Sequence, residues 1–170
     1  MAQEVVPVIY LSPDEAAKAK QTAQDLKNAL DRNSRAIAAW RNLNQSFQIA
    51  HPELPGLHFS SDFRVAFATK NVSDSNSFPF EAEAATVELS AEERKKAESL
   101  HQEMLEAKRL LDQGRKSWLD YQHQLLFDHL PPNPEGGAIV TLPSGKSVTI
   151  PNPWGNGVVF TPDFRVAVPR

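Results

Sequence analysis

The sequence predicts an α+β fold, mainly α, built by internal duplication of a unit that joins one long helix to β-strands. Residues 56–67 return as residues 157–168, with seven of the twelve aligned positions identical. Two long helical patterns upstream also align at a constant offset of 78 residues, which matches Trp40 with Trp118. An internal repeat of this kind determines the architecture before any single element is considered.

The composition limits the class of protein. At 170 residues the chain suits one domain or two small halves. A formal net charge of −3 argues against a nucleic-acid partner bound by charge. The sequence contains no apolar run of about eighteen residues, so it predicts no membrane span. The sequence has no cysteine, which removes disulfides, thiolate chemistry and cysteine-ligated zinc.

The N-terminus is compatible with two compartments. Residues 2–4 read Ala-Gln-Glu, which resembles the start of a mature periplasmic or secreted chain behind an added Met1. An ordinary cytoplasmic start fits the same residues equally well.

Both helices begin with the same capping signal. A serine is followed three residues later by a glutamate at Ser12 and again at Ser90, as a capping box requires. Proline signals end both helical patterns. The sequence therefore predicts helices over 12–50 and 90–129, each close to forty residues and roughly 60 Å long.

Core-forming residues recur along both helices in heptad-like steps of three and four. This spacing predicts two helices packed antiparallel, coiled-coil-like, with paired positions that sum to 147. Trp40 then meets Ala107 and Trp118 meets Ala29, so that large side chains face small ones and the core fills evenly. The stripe consists of Leu26, Ala29, Asn33, Ala36, Trp40, Phe47, Met104, Ala107, Leu111, Gly114, Trp118, Tyr121 and Leu125.

The centre of this predicted pairing lies near Asn33 and Gly114. Asn33 is either a buried polar residue that sets the register or a partly exposed residue at a loose layer. Both interpretations fit a single polar residue within an otherwise apolar stripe.

The remaining segments predict small β caps at the ends of the helices. Residues 56–68 form a β segment, and residues 71–77 form a polar loop tip. A β-hairpin follows over 138–150, and a strand returns over 158–168. In each cap a short leading strand pairs with the strand that reads Asp-Phe-Arg-Val-Ala.

The chain divides into two repeat units that fold together. We expect repeat unit 1 over 1–88 and repeat unit 2 over 89–170, in one co-folded domain. The expected molecule is a two-helix stalk with related caps, the second enlarged by the hairpin.

Two Asp–Arg pairs are candidates for a binding site. Asp62 with Arg64, and Asp163 with Arg165, lie two positions apart on one face of a predicted strand. Each pair is either a binding pair presented twice or a structural ion pair. Trp154, in a glycine-containing loop, is either exposed to a sugar or protein partner or folded over the cap.

The sequence shows no metal-ligand spacing, no phosphate loop and no nucleophile elbow. We therefore predict no metal, no cofactor and no catalytic residue.

These observations favour a non-enzymatic structural or adaptor protein. Its stalk would set the distance between two similar ends that bind protein partners or copies of the chain itself. The alternative is a small-ligand or carbohydrate binder, or an enzyme, with a site in the enlarged C-terminal cap around Trp154. A concave pocket with converging polar groups at that place would favour the alternative.

Overall fold

Two long α-helices and three small antiparallel sheets make up the described chain, which confirms the predicted α+β, mainly α class. Helix α1 spans Pro13–Ala50, and helix α2 spans Ala91–His129. The computed structural model describes residues 6–54, 57–68, 85–155 and 157–170. The polar tip predicted over 71–77 lies outside these residues.

Eight strands among the described residues form the three sheets, and all of them pair antiparallel. They are β1 Ile9–Tyr10, β2 Leu57–Phe59, β3 Val65–Ala68, β4 Ala85–Glu88, β5 Ala138–Thr141, β6 Ser147–Ile150, β7 Val158–Phe160 and β8 Val166–Pro169. One sheet has the order β1–β8–β7, and another has the order β2–β3–β4. Strands β5 and β6 form a hairpin within the predicted range 138–150.

Two compact units each combine parts of both helices with one three-stranded sheet. Unit 1 comprises the described residues of Met1–Ala29 and Leu111–Arg170, and unit 2 comprises those of Leu30–Leu110. Unit 1 therefore contains the β1–β8–β7 sheet and the β5–β6 hairpin, and unit 2 contains the β2–β3–β4 sheet. Because each unit takes one part of each helix, these units do not coincide with the sequence halves 1–88 and 89–170.

Each helix begins at a capping box. Glu15 N donates to Ser12 Oγ at 3.2 Å, and the Ser12 amide donates to Glu15 Oε1 at 3.0 Å. Ser90 and Glu93 repeat both bonds, at 3.2 and 2.8 Å. The two serines precede the first helical residue, so each helix starts one residue later than predicted.

In unit 1 the two helix segments run antiparallel. Near the start of α1, Tyr121 Oη donates to the Glu15 carbonyl oxygen at 2.7 Å. Burial raises the pKa of Tyr121 to about 12, so the phenol keeps the proton that it donates. Further along the pair, Gly114 faces Leu26 and Ala29. Later residues of α2 thus meet earlier residues of α1, which confirms the predicted direction.

The predicted register is wrong by about seven residues. A pairing that sums to 147 would place Gly114 opposite Asn33. A Cβ atom built on Gly114 instead lies 3.5 Å from Leu26 Cδ1 and 3.8 Å from Ala29 Cβ. The paired positions therefore sum to about 140. A shift of one heptad keeps the same stripe on the interface, so the spacing of the apolar residues could not distinguish the two registers.

In unit 2 the helix segments are antiparallel as well. Arg32 donates to both carboxylate oxygens of Glu103, at 2.7 and 2.9 Å. The hydrogen bond from Arg32 lowers the pKa of Glu103, although both side chains are too exposed for the pair to add much stability. The rings of Trp40 and His101 lie 5.7 Å apart, so Trp40 meets His101 and not Ala107 as predicted.

Every residue of the predicted stripe is buried or partly buried. Its buried members are Ala36, Phe47, Ala107, Leu111, Tyr121 and Leu125. Its partly buried members are Leu26, Ala29, Asn33, Trp40, Met104, Gly114 and Trp118. The core of unit 1 adds Ile9, Leu126, Leu130, Ala138, Val158 and Ala167, and the core of unit 2 adds Leu54 and Ala66.

The repeated motif is a hairpin in each unit. The β segment predicted over 56–68 consists of two strands, and the prediction of one strand over 158–168 is wrong. Phe63 and Phe164 take the left-handed conformation, with φ of 53° and 57°. That conformation is rare for a bulky residue, and it breaks the strand. The chain turns here, and the two strands on either side of the turn pair with each other.

Two glycines provide a test of this packing. Gly114→Ala should raise the free energy of unfolding by about 0.5–1 kcal/mol, because alanine favours the helix and its Cβ would make only ordinary contacts. Gly157→Ala should lower it, because φ is +79° and the new Cβ would lie 2.8 Å from Gln122 Oε1. Urea unfolding measures both changes. A clear loss of stability in Gly114→Ala would contradict the packing described.

Candidate functional site

The tight turn between β2 and β3 contains the predicted polar pair of unit 2. Asp62 Oδ1 accepts hydrogen bonds from Ser60 Oγ at 2.7 Å and from the Arg64 amide at 3.1 Å. These two bonds keep the pKa of the Asp62 carboxyl below its usual value. Asp62 and Arg64 therefore lie in a turn and not on a strand face as predicted. The carboxylate holds the turn together by accepting the amide two residues on.

The turn between β7 and β8 repeats this geometry in unit 1. Asp163 Oδ1 accepts from Thr161 Oγ1 at 2.6 Å and from the Arg165 amide at 3.1 Å, which lowers the pKa of Asp163. Arg165 Nε lies 3.7 Å from Asp163 Oδ2, and both side chains are exposed. The prediction that this pair lies on a strand face is therefore wrong here too, because the turn places it before β8.

The unit 2 turn places a phenylalanine against the tryptophan of α1. The Phe63 ring lies 6.4 Å from Trp40 and 5.9 Å from Phe59, measured between ring centroids. His101 from α2 lies 5.3 Å from Phe63. We call Trp40, Phe59, Phe63 and His101 the unit 2 aromatic cluster.

Unit 1 holds a matching cluster. The Trp118 ring lies 5.3 Å from Phe160, which in turn lies 5.5 Å from Phe164 and 6.4 Å from Tyr121. Trp118, Phe160 and Phe164 occupy the positions that match Trp40, Phe59 and Phe63 in the sequence. The left-handed phenylalanine therefore serves the same packing purpose in both units.

A pocket of about 350 Å³ opens beside the unit 2 aromatic cluster. It combines aromatic rings with amide, hydroxyl and imidazole groups, a mixture typical of small-molecule sites. Among the described residues, Asn44 Oδ1 is a buried side-chain oxygen without a hydrogen-bond partner. The pocket is lined by Trp40, Asn44, His58, Phe59, Ser60, Ser61, Phe63 and His101.

In unit 1 the residue that matches Asn44 is Gln122, and both ends of its amide are engaged. Gln122 Oε1 accepts from the Val158 amide at 2.9 Å, and Nε2 donates to the Trp118 carbonyl at 3.4 Å. Asn44 is one methylene group shorter than Gln122. The side-chain oxygen of Asn44 therefore has no hydrogen bond in unit 2, whereas the matching oxygen of Gln122 bonds a backbone amide in unit 1.

The second candidate surface is the outer face of the β1–β8–β7 sheet. Tyr10 stands opposite Val166, and Val159 stands opposite Val168, so these side chains point to one side of the sheet. Val8, which precedes β1, is exposed like Tyr10, whereas its neighbours Pro7 and Ile9 are buried, so Val8 lies on the same side. The exposed fractions are 75% for Tyr10, 49% for Val159 and 47% for Val8. We call Val8, Tyr10, Val159, Val166 and Val168 the apolar sheet face.

The matching face of unit 2 is mostly polar at its described side chains. Thr86 and Glu88 take the positions of Val8 and Tyr10, and His58 takes that of Val159. All three are exposed. The difference between the two faces arises from side chains and not from strand pairing, because Val65 pairs with Glu88 as Val166 pairs with Tyr10.

Trp154 is folded over the core of unit 1. Its Nε1 donates to the Leu130 carbonyl at 3.0 Å, and its ring stacks on Phe127 with centroids 5.6 Å apart and planes 8° apart. The indole also packs against the buried cluster of this unit. Of the two interpretations of the sequence, the geometry agrees with the one that places Trp154 in the cap.

Sequence reasoning missed both the pocket and the apolar sheet face. The sequence did contain a signal for both surfaces, because aligning the two similar segments shows which positions match. Residues of different polarity at matched positions, such as Glu88 and Tyr10 or Asn44 and Gln122, mark where the two units diverge.

Comparisons with known proteins leave the site without a precedent. No protein-family model, no curated protein and no solved structure matches the chain. Neither long helix of the described chain is apolar enough to cross a membrane. Within the same residues, no group of three or more His, Asp or Glu side chains could hold a metal ion. The function must be argued from the pocket and the apolar sheet face.

The unequal roles of the two matched amides can be measured. Gln122→Leu should lower the free energy of unfolding by about 1–3 kcal/mol, because the Val158 amide loses its acceptor in a buried place. Asn44→Leu is the matched control and should cost less, because its oxygen has no hydrogen bond to lose. Urea unfolding of both variants gives the comparison, and equal losses would contradict it.

Proposed function

We propose that this protein is a non-enzymatic structural or adaptor protein that assembles protein partners, the first of which is a second copy of itself. The observation that carries the proposal is the apolar sheet face of unit 1, where Tyr10 is 75% exposed beside four valines. Large exposed apolar patches on a protein surface often mark sites of association. Unit 2 has the polar residues Thr86, Glu88 and His58 where this face has Val8, Tyr10 and Val159, and this difference supports a specific role for the face of unit 1.

A second copy is the partner that the chemistry of this face fits best. None of its five residues carries a charge, so two copies can meet without like-charge repulsion. Two sheet faces pack about 10 Å apart with interdigitating side chains. A face that is compatible with itself suits the two-fold interface of a homodimer. Five side chains are far fewer than the roughly 20–30 per partner of a stable interface, so the association should be weak and concentration-dependent.

The matched features of the two units support a further part of this proposal, an internal duplication. A capping box, a hairpin turn and a left-handed phenylalanine each occur once per unit at matched positions. A role of the helices as a spacer, and coiled-coil-like packing along them, belong to the same proposal. According to this proposal, unit 1 joins copies of the chain, and the face of unit 2 that contains Thr86, Glu88 and His58 binds a different protein.

A second candidate function is small-ligand binding, which the pocket of unit 2 favours. The sequence pointed to the region of Trp154 for such a site. Trp154 is less suited to stack on a sugar or another ligand, because Phe127 covers one side of its ring. Its indole N–H already donates to the Leu130 carbonyl oxygen.

Exchange of residues between the units tests self-association. Val8→Thr with Tyr10→Glu copies Thr86 and Glu88 into unit 1, at positions exposed enough for the fold to accept them. Burying an unpaired carboxylate is costly, so we expect this double variant to weaken association by about tenfold or more. Sedimentation equilibrium over a range of concentrations measures the effect.

The control for this experiment is the matched face of unit 2. Glu88→Gln changes a charge there and should leave the association constant unchanged. A native chain that stays monomeric at millimolar concentration would contradict the proposal. So would a double variant that is well folded by circular dichroism and associates like the native chain.

A further inference from the structure

Strand β1 lies at the edge of the unit 1 sheet and has β8 on one side only. Ile9 pairs with Ala167, and the Leu11 amide donates to the Arg165 carbonyl oxygen at 2.9 Å. Because antiparallel strands bond at every second residue, the N–H and C=O of Tyr10 point away from β8. Neither group has a hydrogen-bond partner within the described residues. The open edge of β1 therefore has an unused donor and an unused acceptor.

Two other edges of the three-stranded sheets are less open to a further strand. On β7 the Val158 amide already donates to Gln122 Oε1 at 2.9 Å. On β4, Glu88 takes the position of Tyr10, and charged residues at a sheet edge discourage pairing with another chain. Residues 6–11, by contrast, carry no charge. The comparison of the two units thus favours β1 as the edge that accepts a strand.

The side chains of β1 and of the residues before it fit a partner of their own kind. Val6, Val8 and Tyr10 are exposed, whereas Pro7 and Ile9 between them are buried. A strand added at this edge would place every second side chain beside the exposed ones, so uncharged side chains suit it. The same segment of a second copy has them at the required spacing. Pro7 does not prevent the pairing, because its missing N–H would face β8.

We infer that β1 pairs antiparallel with β1 of a second copy, so that two three-stranded sheets join into one continuous sheet. The inference rests on the proposed self-association and names a backbone contact that adds to it. A two-fold axis between the copies makes every hydrogen bond occur twice. The pairing also doubles the apolar sheet face, and its main-chain hydrogen bonds add affinity that five side chains alone do not supply. The edge contact and the face contact use different sides of the sheet, so both can form.

Amide hydrogen exchange on the native chain tests the pairing. The Leu11 amide, bonded within the chain, should exchange slowly at every protein concentration. The Tyr10 amide should exchange at least about tenfold more slowly once sedimentation equilibrium shows association, because it then bonds a carbonyl of the second copy. An associated chain whose Tyr10 amide exchanges as fast as in the monomer would overturn the inference and leave the face contact standing. A chain that stays monomeric at millimolar concentration would overturn both.

Two variants at one position separate the backbone from the side chain. Tyr10→Ala and Tyr10→Pro both remove the phenol ring, but only the second removes the outward N–H. Proline is tolerated on an edge strand where its missing N–H faces solvent, so both variants should fold. Tyr10→Pro should associate at least about tenfold more weakly than Tyr10→Ala, because each pair loses one hydrogen bond from each copy.

The control is Glu88→Pro, which makes the matched change on β4 and should leave the association constant unchanged. Equal association constants of well-folded Tyr10→Ala and Tyr10→Pro would overturn the inference. An equal loss of association in Glu88→Pro would do the same. If Tyr10→Pro does not fold, the exchange of the Tyr10 amide in the native chain still decides the question.

Discussion

The antiparallel pairing of helix segments within each unit is the constraint on which the other features depend. In unit 1 the pairing places Gly114 of α2 next to Leu26 and Ala29 of α1. The same pairing brings Tyr121 to the first turn of α1, where it bonds the Glu15 carbonyl. The helix stripe and the sheets then share one core in each unit, in which residues such as Leu125 pack with strand residues. In unit 2 the pairing also brings His101 of α2 against Trp40 of α1 in the aromatic cluster.

The two units share one backbone arrangement and differ in the side chains that it carries. An aspartate in each hairpin turn holds a phenylalanine in the left-handed conformation, and that phenylalanine packs in the aromatic cluster of its unit. Side chains added to this plan then diverge. Tyr10 and its neighbouring valines give unit 1 an apolar outer face, whereas unit 2 has a pocket beside its aromatic cluster. Function in this account lies in the differences between matched positions, because the shared positions maintain the fold.

Local signals made part of the fold predictable from the sequence. The serines at positions 12 and 90 mark the helix starts because a capping box involves only residues three apart. The register was not predictable, because a shift of one heptad leaves the same stripe buried. The hairpins were missed because a phenylalanine such as Phe63 rarely adopts a positive φ, and only tertiary packing of its ring compensates for that. The different roles of Asn44 and Gln122 were not predictable either, since one methylene group decides whether the amide oxygen reaches a backbone donor.

Disulfide trapping tests the helix pairing most directly, because the chain has no cysteine of its own. The Cβ positions of Ala29 and Gly114 lie 3.8 Å apart, which suits a disulfide, so Ala29→Cys with Gly114→Cys should oxidise rapidly and almost completely. Leu26→Cys with Tyr121→Cys should not, because Tyr121 lies seven residues, or about 10.5 Å of helix, beyond Gly114. A chain that cross-links only through the second pair, or through neither, would contradict the account.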